Sequence, residues 1–101
     1  MLYVIAGDQS RELKVNKIIK EIKEKNPSLQ EKYFDALLGE DQLFLQQAST
    51  NSIFGGQELL ILKRAESIKK AEELIKAIKN LDLSSKELVI SIKKKKKGLN
   101  K

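Results

Sequence analysis

Few residues in this 101-residue chain could do covalent chemistry, and their spacing argues against it. There is no cysteine and no histidine, which removes thiol nucleophiles, disulfides, Cys/His zinc sites and imidazole acid–base catalysis. Acidic, basic and hydroxyl side chains remain, and in an α/β chain a nucleotide or metal site is sought where a strand end meets a helix start. The first such place is Gly7-Asp8-Gln9-Ser10-Arg11-Glu12. A phosphate-binding loop needs glycines so that backbone N–H groups cradle the phosphate, a lysine for the β/γ oxygens and a Ser or Thr for magnesium. That spacing is absent, and Asp8 and Glu12 would repel a phosphate. The second place follows the apolar run Leu59–Leu62, where an NTPase carries acidic magnesium ligands. Here the chain has Lys63 and Arg64, then a lone carboxylate, Glu66, beside two cations. Asp35, Glu40 and Asp41 form a loose acidic group suited to turn and helix-start roles. No intrinsic active site, metal or cofactor is expected.

The stretch Gln46 to Lys63 carries a different chemistry. Gln46 to Ser52 is polar without an apolar period, Ile53 and Phe54 are a bulky apolar pair, and Gly55-Gly56 allow a sharp turn after them. Such a pair either folds into the domain's own core, the ordinary fate of Ile and Phe, or is offered to a partner.

The elements that must position this corner are legible from pattern. Leu2–Ala6 is a compact apolar run, expected to be a buried strand, with Asp8 as the N-cap of the next helix. From Gln9 to Lys25, Val15, Ile18, Ile19 and Ile22 recur at helical spacing, Leu13 extends the stripe, and lysines and glutamates fill the other face. Asn26-Pro27-Ser28 stops that helix. Expected next are a short strand Tyr33–Ala36 and a helix Leu37–Gln47 with Leu43, Phe44 and Ala48 on one side. A strand Leu59–Leu62 and a helix Ser67–Lys79 follow the corner, with Ile68, Ala71, Leu74, Ile75, Ile78 and then Leu81 inward. Asp82–Ser85 is read as a turn and Leu88–Ile92 as the last strand. Strands alternating with helices of this length predict an α/β fold, a three-layer parallel sheet with flanking helices and right-handed crossovers.

The net charge of +6 is localised. The 14 acidic residues all lie within positions 1–92, where they meet 14 basic ones, and the excess comes from Lys93, Lys94, Lys95, Lys96, Lys97 and Lys101. The organisation expected is a domain over 1–92 and a basic tail over 93–101. A lysine run is ordinarily a solvated tail, but it could hold nucleic-acid phosphates through counterion release, without sequence specificity. No apolar run reaches the roughly 18 residues of a membrane span, and no basic region opens a signal peptide, so no membrane partner and a cytoplasmic location are expected. A doubly wound sheet ordinarily continues past its fourth strand, which suggests a piece of a longer protein.

The order Y-V-I-A-G-D, F-D-A-L-L, S-I-F-G-G-Q-E-L-L-I-L-K-R-A-E and E-L-V-I-S-I resembles the N-terminal domain of the bacterial DNA polymerase III delta subunit, the clamp-loader component that binds and opens the sliding clamp. The resemblance covers residues 2–101 and is most specific over Ser52–Glu66. It implies an AAA+-type, P-loop-NTPase-like domain with a degenerate nucleotide site and no activity of its own, in agreement with the residues missing after Gly7 and Leu62. It also implies further domains, among them a collar contacting other clamp-loader subunits. Carried over, Ile53 and Phe54 become the plug that enters a hydrophobic pocket on the clamp (beta subunit), with Thr50, Asn51 and Ser52 as the lead-in. Thr50 stands where many clamp-binding motifs have glutamine, a departure that lowers the expected affinity. The polar helix ahead of the plug, about Glu40 to Gln47, is expected to press on the clamp. Three readings follow: a non-catalytic clamp-binding domain of the DNA replication machinery; a nucleic-acid module acting through Lys93–Lys97 and Lys63-Arg64; and a degenerate nucleotide-binding domain.

Overall fold

The computed structural model describes residues 2–7, 11–50, 57–81 and 86–93. Four strands, β1 (Leu2–Gly7), β2 (Gln30–Asp35), β3 (Glu58–Lys63) and β4 (Lys86–Lys93), alternate with three helices, α1 (Arg11–Lys25), α2 (Asp41–Ser49) and α3 (Ala71–Lys79). Short 3-10 turns at Ala36–Leu38 and Ala65–Ser67 follow β2 and β3. The strands form one sheet in the order β1-β4-β3-β2, and every pair is parallel.

The central strands explain the sheet. Leu59 to Leu62 of β3 and Leu88 to Ile90 of β4 are fully buried, as expected for parallel strands covered on both faces. Their alternate residues feed two separate cores. Leu60, Leu62, Leu88 and Ile90 pack under α2 and α3 with Phe44, Ala48, Leu74 and Ile78. Leu59, Ile61 and Val89 pack under α1 with Val15, Ile19 and Ile22. The molecule is therefore a small α/β domain of three layers.

Several boundaries depart from the sequence expectations for local reasons. β2 runs from Gln30 to Asp35, not Tyr33 to Ala36; its charged first half is a strand because β3 supplies the pairing from Gln30↔Glu58 to Asp35↔Lys63. The helix expected over Leu37–Gln47 is broken at Gly39, which takes the left-handed conformation (φ 79°) that glycine adopts at least cost. α2 begins afresh at Asp41, so its inward residues are Phe44 and Ala48 with Leu45 packed beside them. Leu43 consequently faces out, 54% exposed. Likewise the helix expected over Ser67–Lys79 divides into a 3-10 turn and α3. Leu13 is 74% exposed and does not belong to the buried stripe of α1; it stands nearly opposite Val15, 200° around the helix at 100° per residue. The Asp8 cap and the turn over Asp82–Ser85 lie outside the described residues.

Candidate functional site

The segment carrying Asn51, Ser52, Ile53 and Phe54 lies outside the described residues, but the two elements that deliver it are well defined. On the incoming side, α2 ends at Ser49 and Thr50 forms its C-cap, the Thr50 N–H donating to the Gln47 carbonyl at 3.3 Å. The Thr50 hydroxyl donates to the Gln46 carbonyl at 2.7 Å and the Ser49 hydroxyl to the same oxygen at 3.0 Å. These bonds satisfy carbonyls that the last helical turn leaves without intrahelical partners. Thr50 is thus exposed and held, whereas a glutamine there would lack this short hydroxyl back-bond.

On the outgoing side, β3 opens with a buried carboxylate. Glu58 is 5% exposed and Lys86, its direct register partner on β4, is 3% exposed. Lys86 Nζ donates to Glu58 Oε1 at 2.6 Å, while Oε2 accepts from Gln47 Nε2 at 3.0 Å and lies 3.1 Å from Lys32 Nζ. Burial pushes the Glu58 carboxyl up, but hydrogen bonds from Lys86 and Lys32 outweigh it and hold the group below its ordinary value of 4.5. The Gln47–Glu58 bond joins the last turn of α2 to the first residue of β3. Gln57 is fixed as well: its carbonyl accepts from Gln30 N–H at 3.3 Å and its side chain from Asn26 Nδ2. Both ends of the intervening chain are therefore anchored to the sheet.

Around the incoming end, the outward stripe of α2 consists of Gln42, Leu43, Gln46, Ser49 and Thr50, the spacing of one helical face. Glu40 and Asp41, at the start of the helix expected to press on a partner, are half-buried. The Glu40 carboxylate accepts the Asp35 N–H at 2.8 Å and so fastens the start of α2 to the end of β2. Exposed Leu37 and Leu38 lie at this far end of α2, about 13 Å from its C-terminus at 1.5 Å per residue.

At the opposite end of the strands, Lys63-Arg64 is occupied by internal contacts. Arg64 Nε donates to Asp35 Oδ1 at 2.9 Å and its Nη2 pairs with Oδ2, a two-point arrangement suited to guanidinium and carboxylate. The Arg64 hydrogen bond holds the Asp35 carboxyl below the usual carboxylate range, and Asp35 in turn raises Arg64. Asp35 also caps the following 3-10 turn by accepting from Leu37 N–H at 3.0 Å. Arg64 takes a left-handed backbone conformation, φ 55° and ψ 44°, unfavourable for a side chain with a Cβ. The Lys63 ammonium lies over the Tyr33 ring, 5.1 Å from its centre. Glu66 accepts the backbone N–H of Lys93 at 2.7 Å, so the first lysine of the basic run closes β4. Lys94–Lys97 lie outside the described residues. Among the described residues no group of three acidic side chains is placed to hold a metal ion, and no helix is long and apolar enough to cross a membrane.

Compared with known proteins, the chain matches no family model, no curated protein and no solved structure.

Leu43 and the pair Glu58–Lys86 were beyond sequence reasoning. The signal for Leu43 was Gly39, whose helix-ending role moves the start of α2. Glu58 and Lys86 are 28 positions apart, and only the β3–β4 register brings them together.

Proposed function

We propose that this chain is a clamp-binding domain of the kind found at the N-terminus of the bacterial DNA polymerase III delta subunit. On this reading it is an AAA+-type domain without nucleotide chemistry, working in the cytoplasm as a non-catalytic part of a clamp loader. Ile53 and Phe54 enter an apolar pocket on the sliding clamp, with Thr50, Asn51 and Ser52 leading in. The observation that carries this is the frame of the Ser52-Ile53-Phe54-Gly55-Gly56 segment. In the chain it connects Thr50 to Gln57, and α2 and β3 on either side are joined by the Gln47–Glu58 hydrogen bond. Anchored ends reduce the ordering cost of presenting an apolar pair to a partner. Leu43 and Gln46 lie on the α2 face that runs into the same segment, which widens the contact beyond the plug.

Two large apolar side chains desolvated in a pocket can dominate a modest interface. Ring opening requires in addition that the domain bind the strained clamp more tightly than the closed one, since equal affinity shifts nothing. Gln42, Leu43 and Gln46 are the residues suited to supply that difference. The test is titration of a labelled bacterial sliding clamp with the parent chain and with an Ile53→Ala/Phe54→Ala variant of unchanged circular dichroism. The variant is expected to bind at least about 30-fold more weakly, the effect of losing a hot spot of roughly 2 kcal/mol. Equal binding by both would remove the plug from the interface. Phosphate contact through Lys93–Lys97 is a second reading, favoured by the confinement of the whole charge excess to residues 93–101. It requires DNA affinity that collapses between low and moderate salt and disappears when those residues are deleted.

A further inference from the structure

Helix α2 is held to the sheet differently at its two ends. At its start, the Glu40 carboxylate accepts the Asp35 N–H at 2.8 Å, and the Glu40 carbonyl accepts the Phe44 N–H at 2.9 Å. Phe44 itself is fully buried and meets Phe34 of β2 edge to face, with ring centres 5.6 Å apart. At its end the inward residues are smaller. Ala48 buries a single methyl group, and Gln47 reaches Glu58 through one side-chain hydrogen bond of 3.0 Å. Undoing the start of α2 exposes a phenylalanine; undoing its last turn exposes an alanine and breaks the bond to Glu58.

What that bond leaves behind decides whether the last turn can move alone. A buried carboxylate that loses its sole partner is left uncompensated, and the domain would have to open around it. Glu58 is not in that position. Its Oε1 accepts from Lys86 at 2.6 Å, and its Oε2 is shared between Gln47 and Lys32. With Gln47 withdrawn, both oxygens still face an ammonium group. Lys86 lies on β4 as the direct register partner of Glu58, and Lys32 lies on β2. Both cations therefore come from the sheet and neither from α2. Gln47 is neutral and half-buried, so its released amide is hydrated without moving a charge.

We propose that Gln47 is a latch. The last turn of α2, residues 46–50, opens as a unit of its own, hinged behind Leu45, while the Glu58–Lys86–Lys32 cluster stays intact on the sheet. The turn carries internal bonds that keep it together, since the Ser49 and Thr50 hydroxyls both donate to the Gln46 carbonyl. Local opening of this kind has a free energy below that of global unfolding, and here the division falls between a neutral amide and a charge cluster complete without it. On the clamp-binding reading, Asn51 to Phe54 follow this turn directly in the sequence, so the latch fixes where the plug's lead-in starts. The latch itself stands on Gln47, Glu58, Lys86 and Lys32 and goes beyond that reading.

The test is amide hydrogen exchange of the chain followed by NMR, each rate divided by that of the unfolded chain. The amides of Ala48, Ser49 and Thr50 are expected to exchange at least about 100-fold faster than those of Leu60 and Leu62 in β3, which wait for global opening. Gln47→Ala is expected to speed both sets about 10- to 100-fold, because the bond to Glu58 is lost in local and global opening alike. Ile61→Val, a mild change in the core on the opposite face of the sheet, separates them. It is expected to speed Leu60 and Leu62 about three- to tenfold and to leave Ala48, Ser49 and Thr50 unchanged. Equal protection of the two sets in the parent overturns the proposal. So does an Ile61→Val variant that speeds both alike, since turn and sheet then open as one unit, or a Gln47→Ala variant in which the turn exchanges at the parent rate. No arm uses a clamp, so failure of the latch and failure of clamp binding are read separately.

Discussion

The domain holds two hydrogen-bonded charge clusters at opposite ends of β2 and β3, and they differ in almost every respect that matters. At the start of the strands, Glu58 is buried with Lys86, shares Lys32 and receives Gln47 from α2. At the finish, Asp35 and Arg64 form a two-point pair in contact with solvent, with the Arg64 side chain 46% exposed. The second has the better hydrogen-bonding geometry for an ion pair, yet the first carries more of the fold. A charge removed from water must be compensated inside the protein, whereas a charge at the surface has solvent as an alternative partner. The buried cluster also joins three strands and a helix, while the exposed one joins two neighbouring strand ends.

Substitutions can break that contrast. Lys86→Ala leaves Glu58 buried beside only the half-exposed Lys32, and is expected to cost about 3–5 kcal/mol in urea unfolding. A double replacement, Glu58→Leu with Lys86→Leu, is expected to recover most of that loss, because a well-packed apolar pair removes the need for compensation. If the double variant is as unstable as the single one, packing rather than charge governs the site.

Acid weakens both clusters, since Arg64 also holds the Asp35 carboxyl low, and the share of the buried one is read from a Glu58 variant. The folded pKa of Glu58 lies below its ordinary value of 4.5, so the unfolded chain binds the proton more readily. The stabilisation is complete above about pH 4.5 and is lost as pH falls through the lower folded value. Thermal melts between pH 6 and pH 3 are expected to show falling midpoints in the parent and a flatter profile in Glu58→Gln. A smaller effect is expected for Gln47→Ala, about 1.5–3 kcal/mol for one hydrogen bond to a charged, buried acceptor, accompanied by weaker clamp binding if the anchored α2–β3 junction matters to presentation. Smallest of all is Arg64→Gly. Loss of the exposed pair is offset by release of the left-handed conformation, and the melting midpoint is expected to remain near that of the parent.

Sequence patterns were strong where one element's own residues determine its fate. Val15, Ile19 and Ile22 mark the buried face of α1, and the run Leu59–Leu62 marks a strand covered on both sides. They were weak where the decision belongs to a neighbour. Gln30-Glu31-Lys32 has little strand character of its own and becomes β2 through β3. Leu43 looked inward until Gly39 ended the preceding turn. At the candidate site, Thr50 was singled out only through the family resemblance, and its hydroxyl bond to Gln46 was not visible in the sequence. The anchoring of Glu58 was hidden because its partners come from α2, β2 and β4, far apart along the chain.

The sheet order has a consequence for how the protein is made. β1 pairs only with β4 among the described strands, Leu2 opposite Leu88, so of these four strands the first to be synthesised waits for the fourth before it gains this hydrogen-bonded neighbour. β2 and β3 can pair long before that. During synthesis an uncharged, β-prone segment therefore stays exposed while the rest of the domain forms, and its docking closes a loop spanning nearly the whole chain. Folding should be limited by this last insertion. Slowing translation upstream of β4 should lengthen the interval in which β1 is open to chaperones and to aggregation.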